Sequence, residues 1–312
     1  MKNRLLITGS NGFLGKNLVR CLSENNKFYT SNVQRLKQSS EDNLEHTFYI
    51  KQLDGNTDWR SALRNQDVVI HTAAMVHKPK ASKIPFERSK YKTINVDGTL
   101  NLARQAAEAG VKRFIFISSI GVNGQISTQP FSETDEPNPT DIYSYSKLQA
   151  EIGLWKIQRE TEIDIVILRP PLIYGPNAPG NFGSLVRLIQ YGLPLPFGSF
   201  DSQRTLIGID NILELINLCI TNPAAKNQLF VCGDNESVST KELIYKISSI
   251  LNRRIHLFSL PSAKLVSAAK FFGKETSVKR MSYPMLIDSS KAKNILSWKV
   301  SSSLNDGLSK CF

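Results

Sequence analysis

The stretch Gly9-Ser10-Asn11-Gly12-Phe13-Leu14-Gly15 decides how this chain is read. It follows the apolar run Leu5-Leu6-Ile7 and opens a helical pattern over residues 12–24. Gly9 permits a tight turn, Gly12 lets backbone approach a pyrophosphate, and Gly15 lets helix and strand pack closely. The helix start then offers amide donors and partial positive charge to phosphates. The spacing is GxxGxxG rather than the general GxGxxG, and a glycine triplet alone says little. Its place between a first strand and a helix supplies the context that dinucleotide binding requires. Gly9, Asn11, Gly12, Phe13, Leu14 and Gly15 are the expected cofactor loop.

Outward from that loop, short apolar runs alternate with helical patterns. Strands are expected over 4–8, 28–34, 47–50, 67–71, 113–118 and 164–168, with helices over 59–64, 95–109 and 143–161. This alternation predicts an α/β fold, a Rossmann doubly wound parallel sheet with helices on both faces. After Pro170 the pattern changes: Pro and Gly punctuate residues 170–198, read as loops and short helices. Helical patterns follow at 210–221, 240–252 and 263–272, with a strand at 229–232. The expected division is a dinucleotide-binding domain over 1–170 and a smaller α/β substrate lobe over 171–312, some segments of which return to the core.

Lys and Arg number 39 against 27 Asp and Glu, a formal net charge of +12. The basic residues are dispersed and not interleaved with aromatics, so nucleic acid is not expected; anionic small ligands suit the charge. No apolar run reaches the roughly 18 residues of a membrane span. The N-terminal apolar stretch is too short for a signal-peptide core, and a cytoplasmic protein is expected. Cys21, Cys219, Cys232 and Cys311 lack metal or disulfide spacing and read as buried thiols. His46, His71, His77 and His256 show no metal-ligand pattern, and no metal is expected. Asp288-Ser289-Ser290-Lys291 reads as a helix N-cap.

The end of the second strand selects the cofactor. A carboxylate there accepts from the ribose 2′-hydroxyl of NAD, whereas an Arg accommodates the 2′-phosphate of NADP. Residues 28–35 contain no Asp or Glu, and Arg35 and then Lys37 follow. This favours NADP(H) over NAD(H).

Tyr143 and Lys147 stand four apart at a helix start, on one helix face. An ammonium beside a phenol lowers the phenol's pKa, so Tyr143 becomes able to exchange a proton with a sugar hydroxyl while hydride moves at the adjacent carbon. Tyr145 points elsewhere. Upstream, Phe114-Ile115-Phe116-Ile117 ends in Ser118-Ser119, where small hydroxyls face the ligand crevice of such a sheet. Ser119 is placed to bond the same substrate oxygen.

Together these residues resemble the extended short-chain dehydrogenases/reductases, the family of UDP-galactose 4-epimerase, over nearly the whole chain. Residues 8–15 look like its TGxxGxxG; His71-Thr72-Ala73-Ala74 its HxAA along the cofactor; Asn95-Val96-Asp97-Gly98-Thr99 its NVxGT; Arg169-Pro170 with Tyr174-Gly175-Pro176 its RPxxxYGP. The resemblance makes Ser119, Tyr143 and Lys147 the catalytic triad. It adds Asp54, Ala73, Ala74, Asn95 and Pro170 to the cofactor site, and Asn181, Arg204 and Arg280 to the substrate site, with Arg204 on the UDP phosphates. Residues 118–124, Asn181-Phe182 and 192–196 are similar to bacterial polysaccharide-biosynthesis enzymes, among them reductases of UDP-4-keto-6-deoxy-N-acetylhexosamines.

The resemblance thus implies an NADPH-dependent C4 reductase making UDP-N-acetylquinovosamine or UDP-N-acetylfucosamine for O-antigen or capsule, with a UDP-glucose or UDP-N-acetylglucosamine 4-epimerase as the alternative and a non-catalytic NADPH-binding regulator as a remote one. A homodimer through the helices at 95–109 and 147–161 is usual in the family. Two departures stand out: Asn123 replaces the epimerases' Tyr, and Leu172 an Asn that often contacts uridine. No Asp-Glu pair follows Ser119, which argues against a 4,6-dehydratase.

Overall fold

A computed structural model of the 312-residue chain describes residues 2–25, 27–35, 46–76, 85–127, 129–271 and 275–312. Lys37, His77 and Phe272 lie outside the described residues.

Strand β1 (Asn3–Thr8) carries Leu5, Leu6 and Ile7, all shielded from solvent. An apolar run without alternation marks a strand covered on both faces. Strands β2 (Phe28–Arg35) and β3 (Thr47–Ile50) lie to one side of it. To the other lie β4 (Val68–His71), β5 (Arg113–Ile117) and β6 (Asp164–Arg169). Three short strands follow, β7 (Ile173–Tyr174), β8 (Gln203–Thr205) and β9 (Ile207–Gly208). Strand β10 (Gln228–Val231) then returns to the sheet beside β6, and β11 (Ser237–Ser239) pairs antiparallel with β8. The main sheet has seven parallel strands in the order β10-β6-β5-β4-β1-β2-β3. The chain direction across the sheet reverses between β1 and β4, and the crevice outside the carboxyl ends at such a point is where ligands bind.

The helices in chain order are α1 (Phe13–Ser23), α2 (Arg60–Leu63), α3 (Pro85–Tyr91), α4 (Gly98–Glu108), α5 (Ile142–Glu160) and α6 (Gly180–Gln190). They continue with α7 (Ile209–Thr221), α8 (Thr240–Ile250), α9 (Ser262–Phe271), α10 (Glu275–Ser282), α11 (Ser290–Leu296) and α12 (Leu304–Ser309). Strand alternation splits the core in two. Leu5 and Ile7 pack under α1 and α7 with Leu18, Leu22, Ile212 and Ile216. Leu6 and Val69 pack under α4 and α5 with Leu102, Ala106, Leu154 and Ile157. A third core, with Phe182, Leu185, Phe200, Leu243 and Ile247, is formed by residues beyond Pro170. None of the helices among the described residues is long and apolar enough to cross a membrane.

Several expectations need correction. The helix expected from Asn95 begins earlier: α3 runs into a π-helical stretch, Lys92–Asp97, and then into α4. Residues 170–198 hold an eleven-residue helix, α6, rather than only loops and short pieces. Ser289 does not cap α11 with its side chain, which donates instead to Gly233 O at 3.2 Å. Asp288 takes that task, accepting from Ser290 N at 2.9 Å. Cys219 and Cys232 are buried, but Cys21 is exposed. Trp59 and Trp298 are core residues, while Trp155 is half-buried.

Candidate active site

At the cofactor loop, Gly9 adopts φ +73, and a Cβ there would stand 2.7 Å from Ala73 N. At Gly15 a Cβ would meet Gly9 O at 2.1 Å. The loop therefore closes on itself and on the segment after β4 that carries Ala73 and Ala74. Gly12 N donates to Gly9 O at 2.8 Å, and Gly12 caps α1 with no side-chain acceptor. The free first-turn amides fit a pyrophosphate. Leu14 points into the core, and Phe13 packs toward Gly175, where a Cβ would stand 3.3 Å from Phe13 Cζ.

Between the glycine loop and the end of β2, Asn11 Nδ2 donates to Gln34 Oε1 at 3.3 Å and Ser10 Oγ to Val33 O at 2.9 Å. Gln34 is thus the residue beside the loop, which the sequence alone had not singled out. Arg35, exposed, ends β2. Asp54 is buried and accepts from Asn56 N at 2.9 Å, from Thr57 Oγ1 at 3.0 Å and from Gln52 Nε2, so much of its carboxylate is engaged by its own loop.

Ser119 follows β5 and begins a 3₁₀ turn over Ile120–Val122, its Oγ accepting from Gly121 N at 3.1 Å. A Cβ at Gly121 would stand 2.3 Å from Ser144 Oγ and 3.4 Å from Ser119 Oγ, so the serine loop lies directly on the first turn of α5. Asp141 caps α5, accepting from Ser144 N at 2.8 Å. Tyr143 is half-buried in that first turn, whereas Tyr145 is 56% exposed.

Lys147 is fully buried. Its Nζ donates to Ile117 O at 2.8 Å and lies 4.4 Å above the Phe116 ring. It stands 6.0 Å from the centre of the Tyr143 ring. The expected lowering of Tyr143 by Lys147 is not found. Burial, with Asp141 second, raises the Tyr143 phenol above its ordinary value. Burial also pushes Lys147 down to about 7, opposed by the charge of Glu151. Pro170 follows β6 and accepts from Ile120 N at 2.9 Å, tying the serine loop to the carboxyl end of β6.

Asn95 sits in the π-helical stretch and is buried. Its Oδ1 accepts from Met75 N at 2.8 Å, and its Nδ2 donates to Met75 O at 3.1 Å and Ser146 Oγ at 2.9 Å. Ser146 Oγ in turn donates to Tyr143 O at 2.7 Å. π-Type insertions are frequent at functional sites. This one connects the cofactor-side loop after β4 to the backbone of Tyr143.

On β8, Arg204 donates to Tyr283 O at 2.7 Å and contacts Met285 Sδ at 3.4 Å. It has no carboxylate partner among the described residues, and burial, with Arg280 second, lowers it to about 10. Arg280 Nη2 donates to Asp141 Oδ2 at 2.8 Å, two residues before Tyr143. Two guanidinium groups thus converge beside the start of α5. Asn181 lies in the first turn of α6, and no hydrogen bond among the described residues joins it to either arginine.

Residues 5–233 match the NAD dependent epimerase/dehydratase family. The chain is 37% identical to a UDP-glucose 4-epimerase of Vibrio cholerae over 310 residues, covering 98% of this chain and 94% of that protein. The chain belongs to this family, as one of its extended short-chain dehydrogenases/reductases. A second family relative is the N-acetyl-alpha-D-glucosaminyl-diphospho-ditrans,octacis-undecaprenol 4-epimerase of Escherichia coli O157:H7, 29% identical over 84% of this chain and 76% of that protein. A crystal structure of UDP-glucuronic acid 4-epimerase from Bacillus cereus in complex with NAD has the same fold, with a TM-score of 0.80 and 23% identity over 99% of this chain and 95% of that one.

Of the departures from the family's motifs, Asn123 is buried and structural. Its Oδ1 accepts from Arg169 Nη1 at 2.9 Å and its Nδ2 donates to Ser132 O at 2.8 Å. Leu172 is 38% exposed, and its carbonyl accepts from Ile207 N at 3.1 Å.

Proposed function

We propose that the protein is a nucleotide-sugar 4-epimerase acting on a UDP-hexose or UDP-N-acetylhexosamine. The observation that carries this reading is Arg280. It bonds Asp141 at the head of the helix bearing Tyr143 and stands beside the half-buried Arg204, which has no carboxylate partner among the described residues. A diphosphate neutralising both guanidiniums would present its sugar to Tyr143 and Ser119. The 37% identical relative that is a UDP-glucose 4-epimerase supports the same reaction.

Bound along the glycine loop, a nicotinamide dinucleotide supplies the acceptor and donor of the C4 hydride. Gly9, Asn11, Gly12, Phe13, Leu14, Gly15, Ala73, Ala74, Asn95 and Pro170 line its place, with Asp54 at the adenine end. Ser119 Oγ orients the sugar O4. Tyr143 takes the proton of the 4-hydroxyl and returns it after the sugar has turned. Lys147, as an ammonium, holds the cofactor ribose and favours the phenolate. Arg204, Arg280 and Asn181 retain the nucleotide diphosphate through the turn. The sequence after Ser119, Ile120-Gly121, offers no second acid–base pair for dehydration.

A second reading has its own support. The end of β2 carries Gln34 and exposed Arg35 where NAD enzymes place a carboxylate, which suits NADPH and a C4 reductase of UDP-4-keto-6-deoxy-N-acetylhexosamines. Either product serves the supply of sugar donors for bacterial surface polysaccharide in the cytoplasm. The protein would act as a homodimer through α4 and α5, where Ile152 is 52% exposed.

One paired experiment separates the readings. Purified protein is incubated with UDP-N-acetylglucosamine and UDP-glucose, without added reductant, and products are identified by NMR. A parallel tube holds NADPH and UDP-4-keto-6-deoxy-N-acetylglucosamine. C4 inversion in the first tube is the expected result. NADPH oxidation in the second without inversion in the first would move the assignment to the reductase, and neither would refute both.

A further inference from the structure

One turn beyond Lys147 on α5, Glu151 is a carboxylate that the proposed chemistry does not use. It is 2% exposed, and its partner Arg169 is 4% exposed. Arg169 Nη2 donates to Glu151 Oε2 at 2.5 Å, and Arg169 Nε contacts both carboxylate oxygens at 3.1 and 3.2 Å. Ser118 Oγ donates to Glu151 Oε1. Arg169 Nη1 continues to Asn123 Oδ1 at 2.9 Å. Every one of these residues adjoins the candidate triad. Ser118 precedes Ser119, Asn123 ends the turn that Ser119 begins, and Glu151 shares a helix face with Lys147.

A buried ion pair is a costly way to hold a fold, since well-packed apolar residues of similar volume often do as well or better. Its position here suggests a different task. Lys147 sits in an almost entirely apolar or neutral cage. Strand β5 gives it the Ile117 carbonyl and the Phe116 ring, and β4 gives it His71, which is neutral. On its own helix its ammonium stands over the Tyr143 ring, Glu151 follows four residues on along the same face, and from β6 Arg169 bonds Glu151. Among the described residues, Glu151 is the one carboxylate whose charge acts on this buried ammonium.

We propose that Glu151 is a positioning residue for the reaction: held by Arg169 and Ser118, it is the fixed counter-charge of Lys147 and the brace that keeps the ends of β5 and β6 in register with α5. The inference rests on the roles given above to Lys147 and Tyr143. Without Glu151, the buried ammonium would lose its proton more readily, and with it the field that favours the Tyr143 phenolate. This agrees with the direction in which the carboxylate acts on Lys147.

The test is the titration of Lys147 in the ligand-free protein, followed by NMR of ¹³C-lysine-labelled samples and assigned by the signal lost in Lys147→Ala. Glu151→Gln alone leaves Arg169 buried and unpaired, and is expected to be less stable. The double variant Glu151→Gln, Arg169→Met removes both charges together and keeps the volume. In that variant the loss of the nearer carboxylate outweighs the loss of the guanidinium behind it, so the Lys147 midpoint is still expected to fall, by about half a pH unit or more. The high-pH limb of turnover should move down with it. An unchanged midpoint in the folded double variant would overturn the proposal, because a purely architectural ion pair leaves the titration where it was. The midpoint is read without substrate. A shifted midpoint in a protein that turns over no UDP-sugar would therefore sink the proposed function and leave the role of Glu151 standing.

Discussion

Two hydroxyls decide the state of His71. Thr99 Oγ1 donates to Asn95 O at 2.8 Å, so at 3.0 Å from His71 Nε2 it can only accept. Nε2 therefore carries the ring proton, and Thr8 Oγ1 donates to Nδ1 at 2.7 Å. Burial, with the charge of Lys147 second, pushes the imidazole down to about 3. An unfolded histidine titrates near 6.5, at about its reference value. Between these values the unfolded chain binds the additional proton, so stability is lost as pH falls below about 6.5. Thermal melts from about pH 7 to pH 5 should show this loss, with a shallower slope in His71→Gln. Equal slopes would assign the acid sensitivity to other groups. The place of His71 at the end of β4 was legible in the motif His71-Thr72-Ala73-Ala74. Its protonation was not, because Thr8 and Thr99 reach it from other elements.

At the scale of elements, β1, β4, β5 and β6 were legible because each is a nearly unbroken apolar run, as a strand buried on both faces requires. The π-helical turn was not, since it is held by the bonds of Asn95 to Met75 and Ser146, which join three separate segments. Helix α6 was hidden behind Pro176, Pro179, Gly180 and Gly183. Gly183 is there for contact, since a Cβ would stand 2.3 Å from Ala178 O. Likewise Tyr143, Lys147 and Ser119 could be read from spacing. Glu151 and Arg169 lie on different elements, and only a search for an acid one helical turn past Lys147 would have found the first. The glycine loop makes a sharp prediction. Gly15→Ala places a methyl against Gly9 O, 2.1 Å away, which neither backbone can yield without opening the turn. Cofactor affinity, measured by calorimetry, should fall at least about tenfold, while circular dichroism remains that of the parent. Undiminished affinity would show that the loop does not hold the pyrophosphate as proposed.

Seen as a whole, the chain is joined across the boundary at Pro170 in more than one place. Strand β10 and helix α7 come from beyond Pro170 yet belong to the sheet and its covering layer. Arg280 makes a charged link across that boundary. Helices α4 and α5 approach closely at Gly153, where a Cβ would stand 2.5 Å from Leu100 Cδ1, and Ile152 beside it faces solvent. If this face is the dimer contact, light scattering will give a mass near twice the 34.9 kDa of the chain, and Ile152→Glu will return it to one. A monomeric parent protein would remove α4 and α5 from that role.

The most direct test follows the atom on which the chemistry turns. Wild-type protein and Tyr143→Phe are given NAD and, in parallel, UDP-N-acetylglucosamine and UDP-glucose deuterated at C4, and NMR reads both configuration and label. The expected result is inversion at C4 with the deuterium kept on that carbon. Tyr143→Phe should bind cofactor as before and turn over at least about 100-fold more slowly. Loss of the deuterium to solvent, or a Tyr143→Phe variant as active as the parent, would contradict hydride chemistry at C4 driven by Tyr143.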